Sequence, residues 1–257
     1  GSVVVGFVVT ILKFIVTQFI ADHYSKRVSE SLGMENVTIS NSLWLINGGL
    51  VCFLVNKLLD LIPGVKDINI NPSKLQTKLG VWGETSVIGA LLGCLLGIIS
   101  KQNFTGVVTM SMGLAAAMVL LPHVLKIFME GIAAVTEYST NWANSKIGEG
   151  REINFAVDIA LTAGSPCAIT IGAIMIPVTM LLALIIPNFP YFPIGFMTVV
   201  IYLSGWCSMY CKENFFRALI CAIALVLWCM GIAAFVAPEA TRVTAALGTV
   251  VEGQVTS

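Results

Sequence analysis

Long apolar runs alternate with short polar breaks along almost the whole chain. Val3–Ala21, Gly83–Ser100, Gly106–Phe128, Pro166–Ile186, Ile194–Tyr210 and Leu219–Val236 are nearly free of charge. At about 1.5 Å of rise per residue, runs of this length match a hydrocarbon layer of about 30 Å. The pattern predicts six spanning helices. Lys13 interrupts the first and is expected to snorkel or to face protein. Met129–Asn144 continues the third as a more polar, interfacial helix. Polar loops are expected at 22–35, 62–82, 101–105 and 145–152, and a polar tail after Val236.

Two further segments are apolar but broken. Ile39–Leu61 carries Ser40-Asn41-Ser42 and Asn47-Gly48-Gly49, and Ile153–Ser165 carries Asp158 and ends in Gly164-Ser165, with Pro166 next. A carboxylate at membrane depth is costly, which makes Asp158 a functional candidate. Irregular backbone is tolerated there only where protein or a watery cavity solvates it. Positive charge sets the orientation. The loops at 22–35, 62–82, 145–152 and 211–217 hold Lys26, Arg27, Lys66, Lys74, Lys78, Lys146, Arg151, Lys212 and Arg217, and the turn at 187–193 holds no basic residue. Placing those loops inside puts both flanks of 39–61 on one side. That segment is then expected to re-enter, folding back near Asn47-Gly48-Gly49, and 153–165 is expected to be a short dip. The fold class is therefore an all-α polytopic membrane protein with about six spanning helices and two re-entrant, hairpin-like segments. Two broken segments near mid-membrane are the arrangement of a secondary-transporter binding site.

Composition agrees. The chain is 57% hydrophobic and 11% charged, against about 25% charged in soluble domains, and its mean hydropathy is +0.90. Zero net charge gives no reason to expect nucleic acid. The seven cysteines lie in or beside apolar runs without zinc-type spacing, and read as buried thiols. No phosphate-binding Gly-Lys-Ser/Thr loop, His-x-x-x-His pair or nucleophile elbow occurs, so neither cofactor nor metal is expected. Gly1-Ser2 reads as an expression scar.

Ile62-Pro-Gly-Val65, Gly83-Glu84, Leu121-Pro122, Met129-Glu130-Gly131, Asp158-Ile-Ala-Leu161, Gly164 and Asn214-Phe-Phe-Arg217 resemble, in order and spacing, the galactitol-type IIC permease of the bacterial sugar phosphotransferase system. The resemblance implies a multi-pass subunit of the bacterial cytoplasmic membrane, homodimeric and built from two internal repeats. Its core moves elevator-fashion. It binds a sugar or sugar alcohol, and cytoplasmic IIA and IIB partners supply the phosphoryl group; the permease carries none itself. On this reading residues 3–62 end one repeat, 63–82 are a cytoplasmic loop, 83–250 hold most of the next, and 251–257 are a cut tail, making the sequence an internal fragment. A gradient-driven transporter of a polar solute is the alternative.

The site candidates follow. In resembling permeases the aspartate at the place of Asp158 helps to bind the sugar, and a carboxylate accepts charge-assisted bonds from adjacent hydroxyls. A helix-capping aspartate is the other reading. Asn41, flanked by Ser40 and Ser42, stands where the resembling pattern has histidine; it can donate and accept but cannot shuttle a proton. Ser165 also replaces a histidine, and beside Pro166 it is expected to cap a helix rather than touch a hydroxyl. Glu84 opens a helix, where a negative charge suits the positive helix end. Glu130 aligns with an acidic position of the resembling family. His123 is expected to be packed or hydrogen-bonded.

Overall fold

The structure is a computed structural model that describes residues 3–41, 43–65, 68–70, 84–147, 154–186 and 196–246. Among the described residues its regular elements are helices, apart from two strands of two residues each. α1 (Val3–Leu32) runs well past its apolar stretch. The polarity of 22–35 predicts a loop, yet the helix continues because its spacing is amphipathic. Ala21 and Val28 are fully buried while Asp22, Lys26 and Glu30 face outward. α1 ends at Gly33, whose φ is 65°. The Met34 N–H reaches back to the Ser29 carbonyl at 3.2 Å, closing the last turn in the manner of a Schellman cap.

β1 (Val37–Thr38) follows, then a π-helical turn (Leu43–Gly48) that runs into α2 (Gly49–Asp60). The fold-back expected at Asn47-Gly48-Gly49 is not there: the backbone at Gly48 is helical, with φ −64° and ψ −43°. The chain breaks earlier, between Thr38 and Asn41. The two glycines serve close packing instead. A Cβ on Gly48 would sit 2.6 Å from Trp206 Nε1, and one on Gly49 would run into the Tyr24 hydroxyl.

α3 (Thr85–Ile99) and α4 (Phe104–Ile147) form a hairpin of close-packed helices. Then come β2 (Phe155–Ala156), a 3₁₀ helix (Ile159–Gly164) and α5 (Pro166–Ile185). α6 (Met197–Tyr210) and α7 (Phe215–Ala246) complete the chain, α7 extending past the expected start of the polar tail. The order long helix, two-residue strand, distorted helix, α-helix thus occurs twice, from α1 and again from α4.

Among the described residues, four helices are long and apolar enough to cross a membrane: α1, α4 within Phe104–Ala143, α5, and α7 within Phe215–Val243. Of the six runs expected to span, α3 and α6 are apolar but shorter. The residues before each, 71–83 and 187–195, lie outside the described set. The core gathers α2, α5, α6, α7 and the second half of α1 around Trp206, Ile171, Met175, Leu203 and Leu225, all fully buried. The first half of α1 and much of α4 instead present apolar side chains outward, including Phe7, Phe14, Leu120 and Ile127. This is a membrane protein's distribution.

Candidate functional site

The two broken segments are stitched together. β1 pairs with β2 in parallel, Val37 opposite Phe155 and Thr38 opposite Ala156. Phe155 N–H donates to the Asn36 carbonyl at 2.8 Å, and Val157 N–H to the Thr38 carbonyl at 2.7 Å. β1 is in turn tied to α1. The Thr38 hydroxyl donates to the Ala21 carbonyl at 2.6 Å, and the Ser29 hydroxyl to the Val37 carbonyl at 3.0 Å. A two-stranded ladder this short is unstable in isolation; α1 holds it in place.

Two residues past the ladder, one strand has reached Ser40 and the other Asp158, and Asn41 is next. The pairing therefore brings Ser40, Asn41 and Asp158 to the same end of the ladder. Asp158 is exposed and caps the 3₁₀ helix, one carboxylate oxygen (Oδ1) accepting from Ala160 N–H at 2.7 Å. Asn41 is exposed, and its carbonyl accepts from Leu45 N–H at 3.0 Å as the next helix opens. Ser42 lies outside the described residues.

Ser165 is at the other end of the 3₁₀ helix. Its Oγ accepts from Ala168 N–H at 3.0 Å and caps α5, with Pro166 at the first helical position. Seven residues at about 2.0 Å each set it roughly 14 Å along from Asp158. Ser165 is part of a second polar group instead. Its Oγ lies 3.3 Å from Ser208 Oγ, and Ser208 donates to Glu213 Oε1 at 2.9 Å. Since the Ser208 proton goes to Glu213, Ser165 is the donor to Ser208, and the chain of bonds runs one way, toward the carboxylate. Ser165, Thr162 and Glu213 line a cavity of about 170 Å³, together with Ser31, Pro122 and Met129. α6 reaches this place because Gly205 packs directly on the 3₁₀ turn: a Cβ there would be 2.6 Å from Thr162 Oγ1.

The remaining candidates are elsewhere. Glu84 occupies the N-cap position of α3, its carbonyl accepting from Ile88 N–H at 2.9 Å. Glu130 is exposed on α4 and does not line the cavity, although its neighbour Met129 does. His123 Nδ1 lies 2.7 Å from the Val119 carbonyl, a bond within its own helix. Glu213 is the residue that the sequence did not flag. It and Lys212 hold left-handed backbone, with φ of 62° and 53°, which non-glycine residues rarely adopt.

A model of PTS system sugar-specific permease components, EIIC-GAT, matches residues 1–253. The chain belongs to this family. Among relatives, a protein of Escherichia coli (strain K12) named as a permease IIC component is 26% identical over 94% of the chain and 55% of its own length. A "PTS system galactitol-specific EIIC component" of the same strain is 25% identical over 89% of the chain and 51% of its own length. One of the same name from Escherichia coli O157:H7 matches equally. The chain thus spans about half the length of these curated relatives. No solved structure matches it significantly. Against the EIIC-GAT background, the Asn214-Phe-Phe-Arg217 block turns out to be architectural. Asn214 Nδ2 donates to the Ile68 carbonyl at 2.9 Å, and Arg217 pairs with Asp60 at 2.6 Å.

Proposed function

We propose that this chain is part of the membrane-embedded IIC subunit of a phosphotransferase system that carries a sugar alcohol of the galactitol kind. The observation that carries the reading is the EIIC-GAT match over residues 1–253; relatives named for galactitol point to the cargo. The cargo site is the end of the β1–β2 ladder. There the second oxygen of Asp158 accepts from hydroxyls, and the Asn41 amide both donates and accepts. Each hydroxyl buried without a partner costs on the order of 1–3 kcal/mol, so a polyol needs its hydration replaced group by group. Ser208 and Glu213, beside the capping Ser165 and about 14 Å further on, form a second polar step; Ser42, Glu84 and Glu130 remain candidate contacts.

The subunit sits as a multi-pass protein in the bacterial cytoplasmic membrane and works with IIA and IIB. IIB passes a phosphoryl group to a hydroxyl of the cargo at the cytoplasmic face, and the resulting anion does not return. The twofold order of long helix, strand, distorted helix and α-helix supports an internal repeat whose core moves elevator-fashion. The outward apolar faces of α1 and α4 suit lipid and a second copy in a homodimer. Uptake of labelled galactitol by cells with the full-length gene, with and without IIB, tests this. The reading expects accumulation as the phosphate, abolished without IIB. Free galactitol accumulating without IIB would replace it with gradient-driven transport.

A further inference from the structure

Three helix ends converge on an open cavity. The last turns of α1 bring Arg27, the end of α2 brings Asn56, Lys57 and Asp60, and the α6–α7 junction brings Lys212 and Arg217. Together they line an open cavity of about 530 Å³. It presents four cations and one carboxylate, and that carboxylate is already engaged: Asp60 Oδ1 accepts from Arg217 Nη2 at 2.6 Å, while Arg217 Nη1 donates to Asn56 Oδ1 at 3.0 Å. Arg217 is thereby a fixed wall.

The other three cations face the opening. Arg27 is held flat, its guanidinium carbon 4.2 Å from the centroid of the Tyr210 ring and Nη1 donating to the Tyr210 carbonyl at 3.0 Å. That bond uses one of five N–H donors in a fork suited to phosphate. Lys57 is exposed, 5.9 Å from the Phe53 ring. Lys212 pairs with Glu30 at 3.8 Å, but both side chains are mostly in solvent, and such a pair is weak and easily exchanged. Beside this cationic mouth, α2 and the residues after it expose a band of large apolar side chains: Phe53, Leu54, Leu58, Leu61 and Ile62. An open cationic recess next to an outward apolar wall matches an amphiphile better than a soluble anion. The basic segments meeting here are those that the positive-inside rule sets on the cytoplasmic side, where anionic lipid is met.

We propose that this cavity binds the phosphate headgroup of an anionic phospholipid of the inner leaflet, with its acyl chains against Phe53, Leu58 and Leu61. Arg27, Lys57 and Lys212 hold the phosphate, and the bound lipid pins the ends of α1, α2 and α7 to one another.

Native mass spectrometry of the delipidated, purified full-length protein tests it, using phosphatidylglycerol, phosphatidylcholine and soluble glycerol phosphate as probes. Phosphatidylglycerol is expected to be retained over phosphatidylcholine, and glycerol phosphate at equal concentration is not expected to displace it. Lys57→Gln with Lys212→Gln, both at exposed positions, should lower that preference by about 30-fold, the loss of two cations near a lipid phosphate. Arg27→Gln should lower it as well. Equal retention of the two lipids, or an unchanged preference in the variants, overturns the proposal. Displacement by glycerol phosphate overturns it in favour of a soluble phosphate ligand. Binding of the purified IIB protein that these substitutions abolish, without any lipid preference, overturns it in favour of a protein-docking face.

Discussion

Asp158 and Ser165 are both helix caps, and their capping bonds leave different amounts of chemistry over. A carboxylate that caps with one oxygen keeps another to offer, whereas Ser165 commits one lone pair to Ala168 N–H and its only proton to Ser208. Ser165→Ala should therefore cost about 1 kcal/mol of stability, the usual loss for an N-cap, read as a lowered thermal midpoint with uptake largely kept. Glu213 combines left-handed backbone with a cavity-facing carboxylate. Glu213→Gly should keep stability within about 1 kcal/mol, since glycine relieves the left-handed strain while the Ser208 bond is lost. Uptake should nevertheless fall; an unchanged uptake would make the residue part of the turn only. Asp158 was legible in the sequence because a charge in an apolar run stands out. Glu213 was not, because it lies in Lys212-Glu213-Asn214, between two spans, where polarity is expected anyway.

At the level of elements, the sequence marked the two broken segments but not what joins them. A ladder of two residues per strand has no periodicity to read, and its partners are 118 positions apart, Val37 opposite Phe155. The same limit misplaced the first break. Asn47-Gly48-Gly49 has turn composition, yet its glycines are needed for contact with Trp206 and Tyr24, a reason visible only in three dimensions. Residues 22–32 belong to α1 although the polarity of 22–35 predicts a loop, because the polar residues share one outward face of the helix. The ladder can be checked directly. Parallel neighbours have Cα atoms about 4.8 Å apart, within disulfide reach, so Thr38→Cys with Ala156→Cys should cross-link under mild oxidation. Cleavage between Asp60 and Glu84 should then fail to separate the halves on a non-reducing gel. Separation into two fragments would mean that the strands are not paired.

Across the whole molecule, the apolar runs that announced a membrane protein recur as its outer surface, above all on the first half of α1. Val9 is 57% exposed, and a soluble protein would tolerate a charge there. In a bilayer, Val9→Asp should oppose insertion by about 2.5–3.5 kcal/mol, seen as loss of the protein from the membrane fraction. The all-α membrane character was legible in the hydropathy pattern and the family in the resemblance of short sequence blocks, whereas six full spans are not seen among the described helices and the joining of the two breaks required the structure. That joined site, with Asp158 as its charged acceptor, is the centre of the account. The most direct measurement is phosphate-coupled uptake of labelled galactitol by the full-length protein carrying Asp158→Asn. The amide keeps an oxygen for the Ala160 cap but loses the charge. A charge-assisted bond is worth roughly 1.5–3 kcal/mol, so uptake should fall about 10- to 100-fold, at normal expression and thermal stability. Uptake equal to that of the unaltered protein would contradict the account and leave Asp158 as a helix cap.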